Sequence, residues 1–374
     1  MMRLEKGRIG VRQLVVLVFL CAVGDMFQLY PSVVASLAHQ DAWISALLGI
    51  IGGVIVTAVL LLADRIASDL SLIETCIHVL GAVPGFVLSI WYLFYFVMVC
   101  SYLVREMGGF MTTEIFMSTP IQIVHLLLIM LILWGMKAGL EAIGRSGEII
   151  LPVFLLAAAI LVVCLLPQMQ FHYLKPVGEH GLAPIARGMV TGTSFPFGEL
   201  SAVLMILPYV KRQPHLAREV LFGSIAAGLV FSVTTTVSLA VLGPNLTGYS
   251  TYSMYVLAQK INIGNFFQRI EALMAIAYLI STFFKAVLFF YAFTAGTAQL
   301  FRLRQIRPLY LPGGFLVFGL AMIIAPDVTY YLKTIVTPWM YWDLTNGLVL
   351  PLFLWLIYRI KRKWNDALTP TTNK

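Results

Sequence analysis

Charged residues are scarce in this chain. Only 11% of its 374 residues are Asp, Glu, Lys or Arg, whereas 60% are hydrophobic. A soluble globular protein carries far more charge on its surface, and one aqueous core could not hide so much apolar surface. The composition therefore excludes an ordinary soluble protein and predicts an integral membrane protein, with lipid as the solvent for much of its surface.

The sequence also lacks the patterns of common catalytic and metal sites. It contains no Walker loop, HExxH, GxGxxG or GxSxG, and its six histidines show no paired spacing. The four cysteines occur singly, which argues against a disulfide framework and a zinc site. We therefore predict neither an enzyme nor a bound metal or cofactor. The net charge of +8 comes from cations beside apolar runs, so nucleic acid is not an expected partner.

Apolar runs long enough to cross a bilayer recur along the whole chain. At about 20 residues per crossing, they predict ten transmembrane helices in one membrane domain over residues 1–374, because nearly every connection is short. The first run resembles a signal peptide but has no small-residue cleavage site, so we assign it to helix 1. The predicted helices 1 to 10 cover residues 10–38, 42–64, 84–110, 120–138, 147–166, 188–210, 217–243, 266–300, 311–329 and 344–361.

The cations predict the orientation of these helices. Most of the 25 Lys and Arg residues lie before helix 1, after the even-numbered helices or at the carboxyl end. Short loops rich in Lys and Arg stay in the cytoplasm. Both termini are therefore predicted to be cytoplasmic, which an even number of helices satisfies.

Helix breakers interrupt two of the predicted helices. Helix 1 contains the run from Gly24 to Pro31, and helix 6 contains the run from Gly192 to Glu199, each near mid-membrane. These are the first helices of two halves, approximately 10–166 and 188–361. Matching breaks are the signature of inverted five-helix repeats whose unwound backbone lines a ligand site. Simple proline kinks packed against neighbouring helices are the alternative.

Ionisable residues inside a membrane are costly and commonly functional. The sequence places Asp25, Arg105, Glu106, Glu199 and Lys285 within predicted helices. An ion pair between Asp25 and Lys285 is an attractive hypothesis, because burying either charge alone costs far more; snorkelling or pairing with backbone carbonyls is the alternative for Lys285. Glu199 either caps the second half of helix 6 or handles a ligand or proton. For Arg105 and Glu106, a position near the outer interface is the alternative to a functional role.

Polar stripes mark the helix faces that should point into the bundle. On helix 8, Glu271, Tyr278 and Lys285 are seven residues apart and share one face. On helix 3, another such stripe is formed by Tyr92, Tyr95, Tyr102 and Glu106, and its phenol hydroxyls are candidates for a pocket. Tyr92 is a better candidate than Tyr95 for a packing or interfacial role.

Four motifs together resemble the spore germination permease family, the B subunits of bacterial nutrient germinant receptors. They are the start of helix 2 at 41–44, the loop at 174–185, the run 198–208 in helix 6, and residues 268–271 followed by Phe284 and Lys285 in helix 8. Each motif alone would be weak, but the resemblance covers nearly the whole chain.

The resemblance implies an all-α, leucine-transporter-type fold of the amino acid, polyamine and organocation transporters. It further implies a spore inner-membrane location and assembly with an A subunit and a C lipoprotein into a receptor for a small nutrient, often an amino acid. The ligand would lie between helices 1, 3, 6 and 8. With Thr193 added from the helix 6 break, the candidate ligand-binding residues are Gly24, Asp25, Tyr95, Thr193, Phe195, Phe197 and Lys285.

Two other functions remain open. A secondary amino-acid transporter, proton-coupled or uncoupled, would carry substrate across the membrane. An ion-conducting channel subunit would need a continuous polar pore, for which the chain has few charges. Lys285 would also stand where sodium-coupled relatives of this fold hold an ion between helices 1 and 8, which predicts sodium-independent ligand binding.

Overall fold

A computed structural model of the chain describes residues 7–261, 270–325, 330, 334 and 336–368. Within these residues the chain is helical, and its only β-type pairing is an isolated bridge between Ile9 and Val210. The helices from 1 to 10 are Val11–Val23 with Met26–Ala38, Ala42–Asp64, Ala82–Phe110, Ile121–Ala138, Leu140–Leu165, Leu182–Thr193 with Ser194–Gly198 and Glu199–Met205, Leu216–Tyr249, Ile270–Leu300, Tyr310–Ile323, and Val336–Leu344 with Thr345–Val349 and Leu350–Leu368.

Seven helical stretches each have the length and hydropathy for a membrane crossing. The first of them, Met26–Asp64, joins the second half of helix 1 to helix 2. The first half of helix 1 and all of helix 9 are shorter apolar helices, and helix 6 is divided by changes of helical geometry. The seven long stretches are fewer than the ten predicted crossings mainly because helices 1 and 6 are each interrupted.

Three predicted helix starts are wrong by roughly two turns. Helix 5 begins at Leu140 and helix 6 at Leu182, both earlier than predicted. Helix 10 begins at Val336, eight residues before the predicted start. In each case polar or breaker residues lie inside the helix, where a hydropathy threshold excludes them. Predicted positions 266–269 and 326–329 lie outside the described residues.

Short helices follow local capping signals. Helix Leu72–Leu80 lies between helices 2 and 3 and begins after Ser71, whose Oγ accepts a hydrogen bond from the Glu74 amide at 3.3 Å. The Glu74 carboxylate accepts a hydrogen bond in return from the Ser71 amide at 3.1 Å. Two amides that have no acceptor within the helix are thereby satisfied. Gly81, at φ 92°, then turns the chain into helix 3. A second short helix, Ser253–Gln259, follows helix 7.

The helices form two mutually packed groups. Helices 1 and 2 pack on each other and on helices 6 and 7, and helices 3, 4, 8 and 9 pack on one another. Helices 1 and 8 face each other where the two groups meet. The most apolar stretch of helix 8 is 72% buried, whereas that of helix 5 is 28% buried. Helix 8 therefore lies at the centre of the bundle, and helix 5 lies at the lipid-facing periphery.

One end of the bundle gathers segments that the cation count assigns to the same side. The Arg212 guanidinium donates to both carboxylate oxygens of Asp64, at 2.8 and 2.6 Å. This hydrogen-bonded carboxylate raises the pKa of Arg212 above its usual value. The amide of Ile9 donates to the Tyr209 carbonyl at 3.1 Å. The amino-terminal segment, the end of helix 2 and the connection after helix 6 thus meet at one face; which face is cytoplasmic stays a prediction.

At the opposite end, two of the sequence motifs contact each other. Asp41, buried at the turn between helices 1 and 2, accepts the Gly178 amide on both oxygens at 3.0 Å. Beside it, Gln40 donates to the Glu179 carboxylate at 2.8 Å. Gly178 has φ 74°, a conformation that glycine adopts without strain. The long connection before helix 6 is therefore fastened to the turn between helices 1 and 2.

We expect Asp41→Ala to loosen this connection and lower the free energy of unfolding by about 1.5 to 3 kcal/mol, the range for hydrogen bonds to charged groups. Thermal unfolding of the purified protein in detergent measures the change. Asp69→Ala is the control, because Asp69 is an exposed carboxylate and surface substitutions stay within about 0.5 kcal/mol. Equal transitions for the two variants would show that the Asp41 contacts do not stabilise the fold.

Candidate functional site

A buried lysine joins three helices at the centre of the bundle. Lys285 of helix 8 is fully buried, and its Nζ lies 2.5 Å from Asp25 Oδ1 in helix 1. The same Nζ contacts Glu199 Oε2 in helix 6. These three residues, the ion triad, connect the two packed groups of helices. The structure thus contains the Asp25–Lys285 pair suggested by the sequence, and it excludes snorkelling for Lys285.

Gly24 creates the break in helix 1 and makes room for the lysine. Its backbone, at φ 18° and ψ −125°, is not helical, and a Cβ at this position would lie 2.5 Å from Lys285 Cδ. The Gly24 carbonyl, which the break frees from the helix, accepts the Ser281 hydroxyl of helix 8 at 3.0 Å. The glycine therefore allows the lysine stem to cross helix 1 closely, and helix 8 satisfies the freed carbonyl.

The break in helix 1 is narrower than predicted. The helix resumes at Met26, and Pro31 lies inside its second half. Only Gly24 and Asp25 separate the two halves, so the expectation of unwound backbone as far as Pro31 is wrong. A proline removes one N–H and can bend a helix without unwinding it when neighbouring helices pack around it.

Helix 6 changes its geometry but continues through the predicted break. Residues Ser194–Gly198 form a π-helical turn, and Glu199–Met205 form a 3₁₀ helix. Gly198 keeps helical dihedrals of −61° and −35°. The expectation that Glu199 begins a half-helix with an exposed amino terminus is therefore wrong, because the wider π turn accommodates the local sequence without creating a new helix start. Glu199 contacts Lys285 instead.

Two of the other candidates from helix 6 lie against helix 2. Thr193 packs where a Cβ on Gly52 of helix 2 would overlap it, and the Phe197 ring lies 2.6 Å from the corresponding position on Gly53. Phe195 is buried in the π turn. Gly24, Asp25, Glu199 and Lys285 thus come together, whereas Thr193 and Phe197 lie against helix 2. A ligand-binding role for the candidate residues stays a prediction.

Tyr95 leads to an acidic residue that the sequence analysis missed. Its hydroxyl donates at 2.9 Å to Asp343 Oδ1 in helix 10, and Asp343 is fully buried. The predicted start of helix 10, at residue 344, excluded Asp343 by one position from the search for membrane carboxylates. The signal was present in the sequence, since Trp339 and Trp342 extend the apolar helix through that acid.

Glu106 is likewise deeper than expected. It is 3% exposed and accepts the Tyr278 hydroxyl at 2.8 Å. A position near the outer interface is wrong for Glu106, because helix 3 continues beyond Phe110 into a π turn at Met111–Ile115. Glu106 is instead buried with the other members of the polar stripe on helix 3, as that stripe predicted. The adjacent Arg105 is partly exposed and donates to the Ala325 carbonyl at 2.9 Å.

The interior of the bundle therefore holds more acid than base. Apart from Asp41 and Asp64 at the two ends of the bundle, the described residues include four buried carboxylates, those of Asp25, Glu106, Glu199 and Asp343, and one buried ammonium, that of Lys285. Buried carboxylates in such excess are stable only when protons or a cationic group neutralise them. Within the described ranges no three metal-ligating side chains are grouped to hold a metal ion. The chemistry available at this site is the exchange of protons or of ion-pair partners.

Comparisons with known sequences place this architecture. A family model described as "Spore germination protein" matches residues 8–329. Spore germination protein KB of Bacillus subtilis (strain 168) is 28% identical over 365 residues, which cover 96% of this chain and 97% of that protein. Spore germination protein B2 of the same organism is 19% identical, with 97% of this chain and 98% of that protein covered.

Two solved structures share the fold. MhsT in complex with L-phenylalanine has a TM-score of 0.64 at 13% identity, covering 93% of this chain and 97% of that one. Mhp1, a nucleobase-cation-symport-1 family transporter in a closed conformation with bromovinylhydantoin, has a TM-score of 0.71 at 12% identity, covering 100% and 96%. These likenesses confirm the predicted all-α, leucine-transporter-type fold; the boundaries of a single domain with two repeats stay a prediction.

Proposed function

Because this chain belongs to the spore germination protein family, we propose that it is the nutrient-sensing subunit of a germinant receptor and triggers spore germination when a small ligand binds. The ligand site that we propose lies near mid-membrane, where helices 1, 6 and 8 meet beside helix 3. The observation that carries this proposal is the ion triad, in which Lys285 bonds Asp25 at the break of helix 1 and Glu199 after the π turn of helix 6.

The triad favours a zwitterionic ligand, such as an amino acid. Separating Lys285 from its partners would leave uncompensated buried charges, at a cost of about 3 to 5 kcal/mol. A ligand with a single charge restores only one side of that contact. A zwitterion offers a carboxylate to Lys285 and an ammonium to Asp25 or Glu199, so it can replace both halves. In the resting protein Asp25 is already bonded to Lys285, so the ligand ammonium has to displace the lysine to reach it.

The burial of the triad links binding to a change of conformation. All three side chains are at most 2% exposed as residues, so a ligand can reach them only when helices 1 and 6 move relative to helix 8. A ligand that binds the separated arrangement more tightly shifts the population toward it. In our proposal the moving helices then act on the A subunit and the C lipoprotein in the spore inner membrane.

The test is thermal stabilisation of the purified chain by amino acids, sugars and nucleosides, in sodium and in choline buffer. We expect an amino acid to raise the transition temperature equally in both buffers, and its N-acetyl and methyl-ester derivatives to have no effect. Asp25→Asn should abolish the shift, whereas Glu141→Gln, which changes a carboxylate at the start of helix 5, should retain it. Stabilisation by the singly charged derivatives would contradict the zwitterion assignment. Stabilisation only in sodium buffer would contradict the prediction that Lys285 takes the place of the sodium ion of sodium-coupled relatives.

A secondary transporter is the second candidate, and the shared fold with MhsT and Mhp1 is the observation that favours it. The two functions differ in flux. A transporter accumulates the stabilising amino acid in proteoliposomes that contain this chain alone, driven by a proton gradient or down its own gradient, whereas a sensor binds without accumulation. Uptake that saturates with the same affinity as the thermal shift would favour transport over sensing.

A further inference from the structure

A cavity of about 450 Å³ opens between helices 4 and 9. None of the residues that line it belongs to the ion triad or to the other candidate ligand-binding residues. It lies at the last turn of helix 4 and the first turn of helix 9. Close to it, helix 9 approaches helix 4 through Gly314, where a Cβ would contact Leu133 at 3.2 Å. The residues that line the cavity are Leu133, Lys137, Arg307, Tyr310 and Leu311.

The polar side of this cavity is cationic. Lys137 from helix 4 and Arg307 from the turn before helix 9 are both exposed, and neither forms an ion pair with a carboxylate among the described residues. The first turn of helix 9 adds the partial positive charge of a helix amino terminus. Two cations from separate segments and a helix start thus line one cavity, and no carboxylate of the described residues pairs with either cation. The cavity lies at the end of the bundle that the cation count predicts to be cytoplasmic.

The other side of the cavity is apolar and continues along the membrane-facing surface. Leu133 and Leu311 line it. One turn further along helix 9, Phe315 is 67% exposed, and Trp134 on helix 4 is 73% exposed. A free inorganic anion would contact only the cationic side of the cavity. A molecule with an anionic headgroup and hydrocarbon chains would contact both the cationic and the apolar side. We propose that the cavity binds the headgroup of an anionic phospholipid, whose phosphate contacts Lys137 and Arg307 and whose acyl chains cover helices 4 and 9.

The test is the affinity of the purified full chain, in neutral detergent, for phosphatidylglycerol, measured by the shift in thermal transition as the lipid is titrated. We expect Lys137→Gln with Arg307→Gln to weaken this affinity about 30-fold, since each cation near an anionic lipid contributes about fivefold. The matched control is Arg302→Gln with Arg304→Gln, which removes two positive charges from the connection that also carries Arg307, at residues that do not line the cavity. The control should bind as the wild type does.

Three results would overturn the proposal. Equal affinity of the wild type for phosphatidylcholine would show that charge is not recognised. An equal shift with glycerol phosphate or inorganic phosphate would reveal an anion site that needs no lipid. Equal weakening in the control variant would indicate diffuse attraction to surface cations. The first two comparisons use the wild type alone, so they decide the question even if the double variant fails to fold.

Discussion

Lys285→Met is expected to lower the free energy of unfolding by about 3 to 5 kcal/mol, because it leaves Asp25 and Glu199 buried without their counter-charge. Methionine keeps most of the side-chain volume, so the loss reports charge more than packing. Thermal and denaturant unfolding in detergent measure it. The response to the stabilising amino acid should disappear as well, since the proposed contact for the ligand carboxylate is gone.

A charge-neutral variant separates the structural role of Lys285 from its role in binding. Combining Lys285→Met with Asp25→Asn and Glu199→Gln removes all three charges together, and a buried neutral amide costs far less than a buried carboxylate without its counter-charge. We expect this triple variant to recover most of the lost stability but none of the ligand response. A Lys285→Met protein that retains wild-type stability and ligand binding would refute both roles.

Gly347→Ala is expected to lower the free energy of unfolding by about 3 kcal/mol, the upper end of the range typical of overpacking. Gly347 lies in the π-helical turn of helix 10, and an added Cβ would overlap the Gly198 carbonyl oxygen and lie 2.5 Å from Gly198 Cα. Both obstacles are backbone atoms of the π turn in helix 6, so no side-chain rotation relieves the clash. Thermal unfolding of the purified variant measures the effect.

Gly319→Ala is the matched control for this prediction. Gly319 lies in helix 9, and a Cβ there would meet no atom within 4 Å. Since alanine is the better helix former by about 1 kcal/mol, the control should be neutral or slightly stabilising. If Gly347→Ala unfolds at the same temperature as the control, the two π turns do not pack as rigidly as the structure indicates.

The sequence predicts the charged centre of this site because membrane charges are few. Once a helix is known to be buried, an internal lysine needs a partner, and Asp25 beside a glycine in another interrupted helix is the natural candidate. Its pairing with Lys285 follows from this chemistry and is present in the structure. The second partner, Glu199, was recognised as a membrane carboxylate, but its contact with Lys285 depends on how far helix 6 rotates within a π turn.

The missed residues show where sequence reasoning loses accuracy. The predicted start of helix 10 at residue 344 leaves out Asp343, and the predicted end of helix 3 at residue 110 omits the π turn that continues to Ile115 and places Glu106 deeper in the bundle. Thr193 and Phe197 share the interrupted segment of helix 6 with Glu199, yet they lie against Gly52 and Gly53 of helix 2. Composition shows roughly how deep a residue lies along a helix. The direction of its side chain also depends on how the helix is rotated about its axis, and a few residues of irregular geometry change that rotation.

The place of the ion triad between two groups of packed helices has a quantitative consequence for a dormant cell. In the proposed receptor, the triad must open before nutrient binds. The apparent dissociation constant is therefore the intrinsic dissociation constant divided by the fraction of molecules in which the triad is open. Each additional 1.4 kcal/mol that holds the triad closed raises the nutrient concentration needed for half-response about tenfold. The threshold at which dormancy ends can thus be tuned by the environment of one lysine, without any change in the residues that select the nutrient.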